Sequence, residues 1–139
     1  MSRRLLFDLN VVLDVLLDRK PHATSAAALW SRVERGDVAG YLAAHGITTI
    51  HYLAKRARGK RFARQTVEDL LSVFEVAAVD EKTIRQALSL PLADFEDAVC
   101  AASAAAANCE AIVTRDPAGF RDSPVTPIDP ATALAWLQP

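Results

Sequence analysis

Several features that define other protein classes are missing from this sequence of 139 residues. No apolar run approaches the roughly 20 residues that cross a bilayer. The apolar stretch 5–7 before Asp8 is too short for the hydrophobic region of a signal peptide. The two cysteines, Cys100 and Cys109, lack metal-ligand spacing. We therefore expect a cytoplasmic protein without a membrane association, whose cysteines are reduced thiols.

The motifs of several enzyme classes are also missing. The sequence contains no GxxxxGK[ST] phosphate-binding loop, no GxGxxG, no GxSxG and no HExxH. Its three histidines, His22, His45 and His51, stand singly and are more typical of surface or packing residues than of metal ligands. The formal net charge of −1 gives no overall attraction for nucleic acid, so any such function depends on the local distribution of charge.

Short apolar segments that favour strands alternate with segments that favour helices. The predicted strands are RRLLFDL, VAGYLA, FEVAAV and AIVT, with VTPI as a possible fifth. Helices are predicted after the first strand and over residues 23–35, 47–58, 62–73, 80–88, 94–108 and 130–137. This alternation predicts an α/β fold, a three-layer α/β/α sandwich with a central, mainly parallel sheet. The length predicts a single domain over residues 1–139.

Four acidic residues are predicted to meet at one edge of this sheet. Asp8 lies at the carboxyl end of the first strand, Asp116 lies just past the carboxyl end of the fourth, and Asp94 and Asp97 begin the helix that leads into the fourth strand. Because that helix runs antiparallel to the strand it enters, its first turn lies at the edge where the strands end. Each residue also has a purely structural interpretation, as a helix cap or as the opening residue of a turn.

The convergence of these acids favours a metal site. Carboxylates brought close together repel each other and raise each other's pKa values, and a divalent cation removes that conflict. Mg²⁺ and Mn²⁺ suit carboxylate ligands and can activate water for attack on phosphorus, which favours phosphodiester hydrolysis. A phosphatase of the haloacid-dehalogenase type fits less well, because Asn10 stands where that site needs a second aspartate.

Three blocks of the sequence, FDLNVVLD, DFEDAVCAASA and IVTRDPAGF, resemble the successive signature blocks of the PIN-domain family. They are most similar to the bacterial branch that includes VapC-type toxin ribonucleases. The resemblance implies a PIN-like ribonuclease that depends on Mg²⁺ or Mn²⁺, acts on single-stranded RNA, forms a homodimer and has a cognate antitoxin protein as its partner. It implies metal-binding and catalytic roles for Asp8, Asp97 and Asp116, and supporting roles for Asn10 and Thr114.

The sequence departs from the family pattern at one acid. Many members carry a glutamate on the helix after the second strand, but no acidic residue occurs between Val38 and Val67. Asp94 is the candidate to supply the missing oxygen, with Glu96 as a supporting residue or an alternative ligand, and His51 lies near the vacant position. The departure leaves a second hypothesis open, a catalytically weak or inactive PIN-like module that binds RNA or protein.

The same acid-free part of the chain contains the basic segment KRARGKRFAR, residues 55–64. We expect it to bind the RNA backbone, although such a run is equally typical of a solvated face or of a surface that receives an acidic antitoxin tail. Within it, Phe62 could stack on a base but is more typical of an apolar anchor between helices. Its cations are Lys55, Arg56, Arg58, Lys60, Arg61 and Arg64.

Overall fold

The computed structural model of the chain describes residues 3–138, so the predicted domain 1–139 extends slightly beyond the described residues at both ends. Within residues 3–138, five strands form one sheet in the order β3-β2-β1-β4-β5, and all neighbouring strands are parallel. The strands are β1 (Arg4–Phe7), β2 (Ala39–Ala43), β3 (Glu75–Ala77), β4 (Ala111–Val113) and β5 (Thr126–Ile128). The predicted fold class is confirmed.

Helices connect the strands and cover both faces of the sheet. They are α1 (Leu9–Leu16), α2 (Ala23–Glu34), α3 (Ala44–Arg58), α4 (Lys60–Val73), α5 (Glu81–Leu88), α6 (Phe95–Ala106) and α7 (Pro130–Trp136), with a short 3₁₀ helix at Pro117–Phe120. Gly59, with a φ of 91°, separates α3 from α4 as the sequence predicts.

Helix α3 begins at Ala44, three residues before the predicted start at residue 47. In the structure Gly46 packs beside Leu9, with 3.9 Å between the position that a Cβ would take and the Leu9 Cβ. Gly46 therefore lies within the first turns of α3, which pack against the start of α1 at the edge where β1 ends.

The core lies on the two faces of the central strand β1. Leu5 and Phe7 pack on one face with residues of α1, α2 and α7, while Leu6 packs on the other face with residues of α6. Burial on both faces explains why β1 is apolar throughout instead of alternating. Because all strands are parallel, β1 and its neighbour β4 end at the same edge, where loops and helix starts can form a site.

Candidate active site

Asp8 is the first residue after β1, and its backbone ties it to β4. The Asp8 N–H donates to the Val113 carbonyl at 2.8 Å. Although Asp8 holds the N-cap position of α1, its side chain caps no backbone N–H there. Its Oδ2 instead accepts a hydrogen bond from the Thr114 hydroxyl at 3.0 Å. A role as a simple helix cap therefore does not describe this residue.

Thr114 and Gly119 shape the surroundings of Asp116, which follows β4. The Asp116 N–H donates to the buried Thr114 Oγ1 at 3.1 Å, so one hydroxyl connects Asp8 and Asp116. Gly119 leaves space between two carboxylates: a Cβ at this glycine would lie 2.9 Å from Asp116 Oδ2 and 3.5 Å from Asp97 Oδ2. The carboxylates of Asp97 and Asp116 therefore border the same small space, although they come from different elements.

The start of α6 supplies the remaining acids. Asp94 caps the helix by accepting the Asp97 N–H at 3.0 Å, so the predicted capping is present. Desolvation of Asp97, followed by repulsion from Asp94, Asp8, Glu96 and Asp116, raises the pKa of the Asp97 carboxyl to about 6. Burial raises the pKa of Asp8 as well, and the hydrogen bond from Thr114 opposes that shift. Negative charge is therefore concentrated at this edge of the sheet.

These residues line one cleft of about 310 Å³. The structure brings together all the acids that the sequence proposed, with the two supporting residues: Asp8, Asn10, Asp94, Glu96, Asp97, Thr114 and Asp116. From α3 the cleft receives Thr49 and not His51. Two residues along a helix correspond to a rotation of about 200°, so His51 faces a different direction from Thr49. His51 is half-buried on α3, in agreement with its interpretation as a packing residue.

Two more residues near the carboxylates escaped the sequence predictions. Arg115 lines the cleft between two predicted residues, and its positive charge opposes the rise that burial causes in the pKa of Asp8. His45, on the first turn of α3, lines a smaller cavity of about 20 Å³ beside Asp8 and Asp97, and its buried Nδ1 has no hydrogen-bond partner within the described chain. The position of Arg115 directly before Asp116 is a signal that the sequence offers; for His45 it offers none, because the start of α3 was misplaced.

The carboxylate oxygens of the cleft suit a hard divalent cation, although the side chains in their present positions do not surround one. Among residues 3–138, no three acidic, histidine or cysteine side chains stand close enough to hold one ion directly. Mg²⁺ usually keeps several waters and is bound through one or two carboxylates. The concentration of negative charge that raises the pKa of Asp97 is the conflict that such a cation relieves. Asp8, Asp97 and Asp116 therefore fit Mg²⁺ or Mn²⁺ in a partly hydrated site.

The basic segment lies apart from the cleft, and all six of its cations are exposed. Arg64 forms an ion pair with Glu68 at 3.2 Å, and the Arg58 guanidinium lies 5.1 Å from the centre of the partly buried Phe62 ring. The segment begins near the end of α3, whose early residue Thr49 lines the cleft. A rise of 1.5 Å per residue puts Arg58 about 14 Å from Thr49 along the helix axis.

Comparison with known proteins identifies related sequences and folds. A family model described as a PIN domain matches residues 4–118. No curated protein sequence matches the chain significantly. Within the described residues, no helix combines the length and apolar character needed to cross a membrane.

Several solved structures have the same fold. DNA-bound VapBC from Salmonella typhimurium is 16% identical, with a TM-score of 0.70 over 94% of this chain and 99% of that chain. FitAcB from Neisseria gonorrhoeae is 20% identical, with a TM-score of 0.68 over 91% and 98%. VapC20 from Mycobacterium tuberculosis, described as a sarcin-ricin loop cleaving toxin, is 17% identical, with a TM-score of 0.63 over 78% and 86%. At these identities the likeness shows a shared fold.

Proposed function

We propose that this chain, which belongs to the PIN-domain family, is a metal-dependent endoribonuclease that hydrolyses phosphodiester bonds of single-stranded RNA. The observation that carries the proposal is the meeting of Asp8, Asp97 and Asp116 in one cleft, from three distant parts of the chain. Acids that served only as helix caps would not need to border a common space. A carboxylate-rich site with a divalent cation suits phosphodiester hydrolysis, because the cation can activate water and stabilise charge on the phosphoryl oxygens.

The chain's own residues have distinct roles in this mechanism. Asp8, Asp97 and Asp116 would hold Mg²⁺ or Mn²⁺, which supplies Lewis acidity and the positive charge that a phosphoryl group needs during displacement. The Thr114 hydroxyl fixes the orientation of Asp8 and also accepts the Asp116 N–H. Asp94 fixes the first turn of α6 and thereby the position of Asp97. With a pKa of about 6, Asp97 is mostly ionised at neutral pH and available as a ligand.

The biological setting that we propose is the toxin of a type II toxin–antitoxin pair, acting in the cytoplasm as a homodimer that a cognate antitoxin inhibits. The fold likeness to VapBC of Salmonella typhimurium and FitAcB of Neisseria gonorrhoeae supports this setting. In the same proposal, the basic segment at the end of α3 and the start of α4 contacts phosphates of the RNA outside the cleft.

One observation favours the second candidate, a PIN-like module that binds RNA or protein without cutting. The residue that α3 contributes to the cleft is Thr49, whose hydroxyl cannot replace the charge of a carboxylate. A site with one acid fewer would hold a cation more weakly. One assay separates the two candidate functions. The binding module would bind RNA but show no cleavage that a chelator abolishes.

Incubation of the purified protein with end-labelled single-stranded RNA tests the proposal. We expect fragments with Mn²⁺ or Mg²⁺, none with EDTA, and restored cleavage when the metal is added back in excess. Asp97→Asn should abolish cleavage, because it removes charge at nearly constant shape. Asp80→Asn is the matched control, since Asp80 caps α5 outside the cleft and asparagine caps as well as aspartate. Cleavage that persists in EDTA, or full activity of Asp97→Asn, would contradict the metal mechanism.

A further inference from the structure

Asp14 is a buried carboxylate that the proposed metal site does not use. It lies on α1 with a residual exposure of 1%, and its Oδ1 accepts no hydrogen bond from the described residues. A charged group at such depth is costly unless cations compensate it. Two arginines provide this compensation: Arg19 and Arg115 each place NH1 near the same Oδ1, at 3.7 Å and 3.6 Å. The resulting cluster has two positive charges and one negative charge, so it carries one net positive charge.

The geometry leaves the two guanidinium groups able to bind another anion. Their approach to Asp14 is longer than a hydrogen bond, and about one third of each arginine side chain remains exposed, 33% for Arg19 and 32% for Arg115. A guanidinium has five N–H donors, and these two donate none to Asp14. Arg19 makes a long hydrogen bond, 3.4 Å, to the Oδ1 of Asn10. Donors therefore remain available for a ligand.

Both arginines are connected to the acidic cleft. Arg115 lines the cleft directly, and Arg19 reaches it through Asn10, which is itself a cleft residue. Arg115 also borders a second cavity of about 270 Å³, which the carboxylates of Asp14 and Asp129 line. Five carboxylates line the cleft side, and there the proposed divalent cation would compensate their charge. On the cleft side, Arg115 is the only cationic residue among the described lining residues. An anion that enters the cleft would therefore meet Arg115.

We propose that Asp14 holds Arg19 and Arg115 as a phosphate-binding pair that receives an RNA phosphate neighbouring the bond to be cut. The inference rests on the proposed function for the identity of the ligand, a phosphodiester of single-stranded RNA. Arginine suits this task because its planar donors match two phosphate oxygens at once. Asp14 is a positioning residue in this arrangement: it contacts no substrate, and it keeps two cations together that would otherwise repel each other.

The inference predicts a selective loss of RNA affinity in Arg115→Gln. We expect weakening of about 10- to 100-fold for a fluorescent single-stranded oligoribonucleotide, measured by anisotropy with Ca²⁺, because a charge-assisted hydrogen-bonding group is lost. Arg115→Lys should lie in between, since it keeps the charge without the planar donors. Mn²⁺ affinity should not fall, whereas general damage to the cleft would lower it. Arg121→Gln, which changes an exposed arginine outside the cleft, is the matched control.

A double-mutant cycle tests the role of Asp14. Asp14→Asn should weaken RNA binding in the wild-type background and have little further effect in the Arg115→Gln background, because it acts through that arginine. Equal losses in both backgrounds would overturn the positioning role. If Asp14→Asn fails to fold by circular dichroism, the comparison of glutamine and lysine at residue 115 decides the proposal alone.

The outcomes separate this inference from the proposed function. If the wild type cleaves RNA while its RNA affinity and KM do not depend on Arg115, the phosphate pair is wrong and the nuclease stands. If the wild type binds RNA through Arg115 but shows no metal-dependent cleavage, the nuclease is wrong and the phosphate pair stands. RNA affinity that is equal in the wild type and Arg115→Gln, including none in either, overturns the pair.

Discussion

Asp97→Asn should stabilise the metal-free protein while it destroys the proposed metal site. In the folded chain, burial and four neighbouring acids raise the Asp97 pKa from 3.8 to about 6. Above pH 6 the carboxylate is ionised in both the folded and unfolded states. The difference between its pKa values in these two states then corresponds to about 3 kcal/mol of lost stability. Because solvent reaches part of Asp97, screening reduces this to about 1 kcal/mol. Asparagine keeps the shape and removes the repulsion.

The sign of the pH dependence follows from the raised pKa. The folded state holds the Asp97 proton more tightly than the unfolded state, so the stability of the metal-free wild type falls as pH rises from about 4 to about 6. Asp97→Asn lacks this contribution, and the smaller one from Asp8 remains. The variant should therefore exceed the wild type by about 1 kcal/mol at pH 7, or about 3 °C in Tm, and match it near pH 4.

Urea denaturation in EDTA at a series of pH values measures this difference directly. Asp80→Asn provides a comparison of opposite sign: hydrogen bonds from Thr83 lower the Asp80 pKa, so this variant should be less stable than the wild type at pH 7 and approach it as the pH falls. Equal or lower stability of Asp97→Asn at pH 7 would refute the reasoning. So would a stability gain that stays constant down to pH 4, since repulsion between ionised acids must vanish when they are protonated.

Three further predictions concern the acids, the glycine beside them and the basic segment. Asp94→Asn should preserve the capping of α6, with a melting temperature like that of Asp80→Asn. It should lower the Mn²⁺ affinity measured by calorimetry. An unchanged Mn²⁺ affinity would mean that Asp94 is only a helix cap. Gly119→Ala should weaken Mn²⁺ binding about tenfold, because its Cβ would lie 2.9 Å from Asp116 Oδ2. Gly46→Ala is the control and should leave Mn²⁺ binding unchanged, because the nearest atom to its Cβ would lie 3.9 Å away. Replacing Arg58, Lys60 and Arg61 with alanine should weaken RNA binding equally across sequences and reduce the slope of log affinity against log salt by about 2. An unchanged slope with lost antitoxin binding would assign the basic segment to the protein partner.

The meeting of the acids was predictable because it depends on topology alone. In a parallel sheet, the residue after a strand and the first turn of the helix that enters a strand lie at one edge, so Asp8, Asp97 and Asp116 could be placed without side-chain detail. Burial on both faces made the strands recognisable as unbroken apolar segments. The links made by Thr114 were not predictable, because they depend on the orientation of one buried hydroxyl.

Two physical reasons explain why the sequence did not reveal the other residues near the site. His45 lies outside the predicted helix because α3 starts three residues earlier than predicted, and Thr49, although inside the predicted helix, carries no charge that would mark it as a site residue. The role of Asp14 was not predictable, because one of its cationic partners, Arg115, lies about a hundred residues away in the sequence. Sequence periodicity reports which side of a helix is buried, but it does not identify a distant ion-pair partner.

Calorimetric titration of Mn²⁺ into the wild type and three single variants tests most directly whether the acids form one metal site. Asp8→Asn, Asp97→Asn and Asp116→Asn should each weaken Mn²⁺ binding strongly, because each removes a carboxylate from the same cleft. Asp80→Asn, outside the cleft, should bind as the wild type does. Wild-type Mn²⁺ affinity in any one of the three cleft variants would contradict a site that the three carboxylates share.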